Sequence, residues 1–270
     1  MNISKKAFTL VELLVVISII GLLMAILLPA LAAAKSETRS LVCKYNIRQL
    51  LIANISYANE NNGYYVAAAS DMWDSFGGKH RWHGVRRNPD EPFEPNKGPL
   101  VSYLADGKVK ECPAKVKYMK GQIWNESFEK GCGGYGYNMA YLGSRLWRPN
   151  SDNSPDGWKR PYAETTHILE VKRPGETLMF ADTAYDQKNN LIEYSFAEPP
   201  HFVMNGRVSA KYAKPSIHFR HRGQANIGWV DGRVDSRKIV KFDKKSQSVI
   251  SYNLKLSWFE PLDNTPFDLE

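Results

Sequence analysis

At 270 residues the chain has room for one domain with an appendage or two small domains, which excludes a large multidomain enzyme. Apolar residues at 43% can build a sizeable core and exclude global disorder, while three cysteines exclude a disulfide-built scaffold. A net charge of +8 favours anionic surfaces without specifying a partner.

Lys5 and Lys6 precede an apolar run from Phe8 to Ala34, interrupted only by Thr9, Glu12, Ser18 and Pro29. As a helix the run extends ~40 Å, enough to cross a bilayer. No second stretch approaches the ~20 apolar residues a span needs, so a polytopic protein is excluded. Mean hydropathy is nevertheless −0.43, so the remainder of the chain is decidedly polar. The lysines ahead of the run predict a cytoplasmic N-terminus, with the rest of the chain sent outward.

Three readings of this segment compete: a signal anchor, a cleaved secretory signal, or a more specialised element. Ala30-Leu31-Ala32 and Ala32-Ala33-Ala34 fit a small-x-small cleavage site. Against secretion stand the length of the run and Glu12. A carboxylate costs roughly 2.5–3.5 kcal/mol at the bilayer centre and less near the interface.

Ala7-Phe8-Thr9-Leu10-Val11-Glu12, behind two lysines and ahead of the apolar run, resembles the type IV pilin and type II secretion pseudopilin signature. The resemblance implies cleavage between Ala7 and Phe8 by a prepilin peptidase, then methylation of the new amine. Ala7 departs from the usual glycine of that family. The cut places Glu12 and Pro29 where the family carries its glutamate and its helix-bending proline. An ammonium on Phe8 and a carboxylate on Glu12 are each costly in lipid, and pairing between neighbouring subunits relieves both. Pro29 removes one backbone hydrogen bond, so it bends the helix or marks the end of the membrane segment.

The organisation so implied is a leader at 1–7, a transmembrane and assembly helix at 8–34, and a periplasmic or extracellular domain at 35–270. Leu41, Tyr45, Ile52 and Ile55, with Ile47, Leu51 and Ala58 alongside, predict that the helix continues to about Glu60. Asn61-Asn62-Gly63 supplies the stop. Residues 71–99, rich in Pro and Gly, predict an irregular excursion. Strands are predicted at Thr177–Ala181, Phe202–Met204, Val208–Tyr212, Ala225–Val230, Arg233–Val240 and Val249–Trp258. The fold class that follows is α+β and pilin-like, with a C-terminal antiparallel sheet packed on a long N-terminal helix.

Residues 221–232 carry His221, nine residues, then Asp231-Gly232, which looks like the H-X9-DG segment of a pilin-like family. Cys112-Pro113, Tyr135-Gly136-Tyr137-Asn138 and Thr177 to Asp182 resemble other stations of the same family. Asp231-Gly232 predicts a two-residue hairpin with Trp229 opposite Val234, so that Ile227, Trp229 and Val234 share a face. His221 then lies ~20 Å from Asp231, too far for a catalytic pair, and is expected to bond a neighbouring loop.

The remaining candidates are weaker. His218 and His221, three apart on a strand, point to opposite faces and make a poor chelate. His80 and His83 share that spacing in a loop that offers no further Cys or His. Asp152, Asn153 and Asp156 offer oxygen ligands of the kind calcium takes, without EF-hand spacing, and a polar turn is the simpler reading. Cys112 and Cys132 are a candidate disulfide contributing ~3 kcal/mol, while Cys43 reads as a packed, unpaired thiol.

No nucleophile elbow, Walker loop or dinucleotide fingerprint appears, so no catalytic residue is expected. Trp73, Trp82, Trp124, Trp147 and Trp158 beside Arg81, Arg86, Arg87, Arg148, Lys159 and Arg160 suit an anionic polysaccharide or nucleic acid, although tryptophans that fill the core under long loops, with the basic groups solvated, are the simpler reading. The expected function is a structural subunit of a type II secretion pseudopilus or type IV pilus-like filament. Its expected partners are the prepilin peptidase, other pilin or pseudopilin subunits and the inner membrane. The alternative is a surface-displayed or secreted binder of an anionic polymer.

Overall fold

In the computed structural model, which describes residues 9–72, 78–88, 91–114, 116–119, 129–145, 163–204, 207–240 and 253–270, Thr9 opens a single helix, α1, at Leu10–Glu60. The Glu12 carboxylate accepts the Thr9 N–H at 2.8 Å while Thr9 Oγ1 accepts the Glu12 N–H at 3.2 Å, a reciprocal cap. Pro29 lies inside the helix and deprives the Ala25 carbonyl of its usual donor. At the other end Gly63 donates its N–H to the Ala58 carbonyl at 2.8 Å, and the helix stops where Asn61-Asn62-Gly63 predicts.

The two halves of α1 live in different surroundings. Large apolar side chains from Leu10 to Leu31 are all exposed, whereas Cys43, Ile47, Leu50, Leu51, Asn54 and Ala58 are buried. Of the periodic apolar residues, Ile47, Leu51 and Ala58 are buried, whereas Leu41, Tyr45 and Ile52 remain 56%, 55% and 46% exposed. The face chosen is the narrower one, carrying Ser40, Cys43, Ala53 and Asn54, which lets the helix lie close to a sheet.

Twelve short strands occur among the described residues. Four form the central antiparallel sheet: β3 (Tyr135–Tyr137), β4 (Leu178–Asp182), β10 (Gln224–Trp229) and β11 (Val234–Lys238), in spatial order β11-β10-β4-β3. Around it lie the hairpins β1 (His80–Arg81) with β2 (Gly84–Val85), β5 (Tyr185–Gln187) with β6 (Asn190–Ile192), and β7 (His201–Met204) with β8 (Arg207–Tyr212). β9 (Ile217–His218) pairs with β12 (Leu256–Ser257). The architecture is α+β.

Strand β10 shows how the layers meet. A Cβ on Gly228 would lie 2.5 Å from Ile47 Cγ2, so this face of the strand is in contact with α1. Ala225, Ile227 and Trp229 alternate to the opposite face and join Phe219, Trp258, Phe259 and Phe267 in a second buried cluster. The sheet is covered on both sides.

Two local predictions need correction. Gly228 pairs with Val234 and the Trp229 N–H bonds the Arg233 carbonyl at 2.9 Å, one residue out of the predicted register. The loop is Val230-Asp231-Gly232, with Gly232 at φ +89°, the three-residue hairpin in which glycine takes the left-handed position. A one-residue shift exchanges faces, so Val234 packs with the helix-side cluster rather than with Ile227 and Trp229. Of the predicted strand at Val249–Trp258, residues 249–252 lie outside the described residues; in the rest, Lys255 sits at φ +60° and only Leu256–Ser257 pair as a strand.

Candidate functional site

Arg222 and Gly223, at φ +55° and +80°, form a tight turn in which the His221 and Gln224 backbones exchange hydrogen bonds at 3.0 Å. The turn fixes His221 at the start of β10. Asp182 ends β4, the strand next to β10. Cys43 comes from α1, and Cys112 from an irregular segment whose Cys112 N–H bonds the Gly133 carbonyl at 2.9 Å. Four distant stretches thus deliver four side chains to one place.

Their functional atoms lie within 4.8 Å of one another. Cys43 Sγ donates to Asp182 Oδ1 at 3.0 Å, His221 Nε2 lies 3.3 Å from Asp182 Oδ2, and Cys112 Sγ lies 3.5 Å from His221 Nε2. Asp182 Oδ2 also accepts the Asn226 N–H at 2.8 Å. Cys43 and Asp182 are fully buried and His221 is nearly so. Two sulfurs, a nitrogen and an oxygen constitute a set able to hold a metal ion.

Charge is balanced in this pocket by Arg220. Its guanidinium donates to Tyr118 Oη and to the Gly134 carbonyl, each at 3.1 Å, and to the Thr183 carbonyl, with Nε 4.0 Å from Asp182 Oδ1. The Cys43 hydrogen bond, with His221 and Arg220 in support, lowers the Cys112 pKa to about 5 against the effect of burial. Burial opposes a charged His221, but bonds to Asp182 and Cys112 raise its pKa to about 9. Burial dominates at Cys43, whose thiol is pushed well up.

The candidate Cys112–Cys132 disulfide is not formed in this structure, where all three cysteines are free thiols. Backbone pairing does bring Cys112 beside Gly133, but its sulfur turns to Cys43 and His221. His221 reaches Cys112 on a neighbouring segment and, in addition, Asp182 on β4. Asp231 and Gly232 sit at the far end of β10, where Asp231 Oδ1 accepts the Arg233 N–H at 2.9 Å and tightens the hairpin. His218 is not among the four converging residues.

Trp82 fills the core, as the simpler reading holds, but the basic groups Arg81 and Arg86 are buried with it rather than solvated. Trp82 is fully buried, with Nε1 donating to the Ser195 carbonyl at 2.8 Å. Arg81 is buried as well, and its Nε reaches both oxygens of the buried Glu129 at 3.0 and 3.2 Å, with Ser195 Oγ donating to the same carboxylate. His83 lies 3.8 Å from Glu129, while His80 bonds Asp71 at the surface, so the two imidazoles do not converge. Arg86 is buried and Arg87 exposed. Trp73, Trp124, Trp147, Trp158, Arg148, Lys159 and Arg160 lie outside the described residues, as do Ala7, Phe8 and the calcium candidates Asp152, Asn153 and Asp156.

Residues 3–28 match the family model of the prokaryotic N-terminal methylation motif. That match marks the N-terminus as prepilin-type and indicates a pilin-like protein processed by prepilin peptidase. With the apolar half of α1 it indicates anchoring in a membrane. No curated protein and no solved structure gives a significant match to the chain.

Proposed function

We propose that the chain is a structural subunit of a type II secretion pseudopilus or a type IV pilus-like filament. Prepilin peptidase cuts between Ala7 and Phe8, and the subunit inserts with its N-terminus cytoplasmic and its head outside the inner membrane. It assembles with other pilin-type subunits through α1. No catalytic step is assigned to it. The H-X9-DG segment acts as a structural hairpin strand, anchored at one end by His221 and at the other by Asp231-Gly232.

The observation that carries this reading is the exposure of every large apolar side chain from Leu10 to Leu31, on a helix that begins in the methylation motif. Such a surface requires lipid or neighbouring helices to cover it. Within one chain Glu12 satisfies itself on Thr9. In a filament the Phe8 ammonium of an incoming subunit offers that carboxylate a charged partner, which selects one stagger.

Two measurements test the proposal. Mass spectrometry of the mature chain from its host should find N-methylated Phe8. An intact Met1, or a start within Ala33–Lys35, sinks it. Glu12→Gln keeps the shape of the cap and removes the charge, and it should leave the head folded while abolishing incorporation into filaments. Normal incorporation of that variant would show that Glu12 has no assembly role.

A further inference from the structure

We propose that Cys43, Cys112, Asp182 and His221 bind one zinc ion, which ties α1 to the sheet. The inference is independent of the filament role. Tetrahedral zinc holds sulfur at ~2.3 Å and nitrogen or oxygen at ~2.0–2.2 Å, which puts neighbouring ligand atoms roughly 3.3–3.8 Å apart. The separations of 3.0, 3.3 and 3.5 Å lie within a few tenths of an ångström of that geometry, and since all the donor atoms fall within 4.8 Å of one another, the widest gap must close by no more than about 1 Å.

The donor set selects the metal. Two cysteine sulfurs and an imidazole suit zinc and disfavour calcium or magnesium, which take oxygen ligands. Four protein ligands, three of them buried and Cys112 partly so, leave no open coordination site, the pattern of structural rather than catalytic zinc. Two thiolates and one carboxylate exceed the charge of Zn²⁺ by one, and the buried Arg220 guanidinium beside Asp182 supplies the balance. The Asn226 N–H steadies the carboxylate from behind. A Cys43–Cys112 disulfide would compete for the same sulfurs while leaving the His221–Asp182 pair intact, so the oxidation state of the two thiols decides between the two arrangements.

Binding requires no change of oxidation state: both cysteines bind as thiolates and His221 as neutral imidazole, and the protons they give up leave to solvent as the ion enters. Each ligand comes from a different element, so the ion closes long loops among α1, the Cys112 segment, β4 and the turn before β10. Its effect is to hold the helix to the head.

The test uses the full chain in detergent, purified under reducing conditions after growth with zinc. Elemental analysis should give one zinc per chain, and Cys132→Ala should keep it. Asp182→Asn and His221→Gln should each weaken zinc binding at least ~10-fold. The wild-type chain, stripped and given cobalt(II), should show thiolate-to-cobalt charge transfer with the intense visible bands of a tetrahedral site. Chelation should lower the unfolding midpoint by roughly 5–10 °C. A reduced wild-type chain that takes up neither zinc nor cobalt overturns the proposal, as does a Cys43–Cys112 disulfide in protein taken from its host. Full zinc retention in both the Asp182 and His221 variants also overturns it.

Discussion

Gly228→Val should destabilise the head by about 3 kcal/mol or more, because the seam between helix and sheet has no room for a side chain. Even a single added Cβ would lie 2.5 Å from Ile47 Cγ2 and 3.0 Å from Leu51 Cδ1. Ile47 is β-branched and fully buried, so it cannot swing aside; α1 itself has to retreat from β10. Retreat would also move Cys43, which lies one helical turn from Ile47 on the same face. Chemical denaturation of the purified variant measures the loss. Combining Gly228→Val with Ile47→Ala should recover part of it, giving a coupling energy of about 1 kcal/mol or more. Strict additivity would mean that the seam is looser than described.

Glu129→Gln should cost about 3 kcal/mol at neutral pH, since it leaves the buried Arg81 guanidinium only the more distant Asp71 carboxylate, 3.8 Å from Nη1, as counter-charge. Burial favours the protonated acid, yet the Arg81 charge, with His83 and Ser195, holds the Glu129 pKa below its ordinary value of 4.5. A depressed carboxylate contributes stability above the unfolded pKa and loses it as pH falls through the folded value. The deficit of the variant should therefore be constant from neutrality to about pH 5, then shrink as the wild type itself protonates. Urea titrations of both proteins between pH 3 and 7 check this. A gap that widens in acid would assign the stabilisation to something other than the ionised pair.

The legible parts of the fold were those governed by local pattern. A run of apolar residues after two lysines, a stop at Asn61-Asn62-Gly63 and β-rich segments near 178, 224 and 234 are written in neighbouring residues, and the structure places elements there. What depends on contact between distant segments was not legible. The periodicity marks the length of the helix but not its buried face: Leu41, Tyr45 and Ile52 are exposed, while the small-residue face fits against Gly228. The hairpin register was misjudged because Asp-Gly suits both a two-residue and a three-residue loop, and only pairing along β10 decides between them. The buried cluster lacked any sequence spacing to betray it: its four members stand at 43, 112, 182 and 221. Arg222-Gly223 was the one local clue, a tight turn that aims the histidine, and Asp182 at the end of a fully buried strand was the other.

The continuity of α1 from Leu10 to Glu60 has a consequence for how the head is aimed. No hinge loop separates the apolar half from the packed half, so the helix transmits rotation as well as position. One residue inserted between Lys35 and Arg39 would turn the head by ~100° about the helix axis and displace it by ~1.5 Å. Which side of the head faces a neighbour is thus set by residue count along the stem, much as the bitting of a key is set by the angle of its shaft. Removing or adding a full turn's worth of residues should nearly restore the facing while changing the reach.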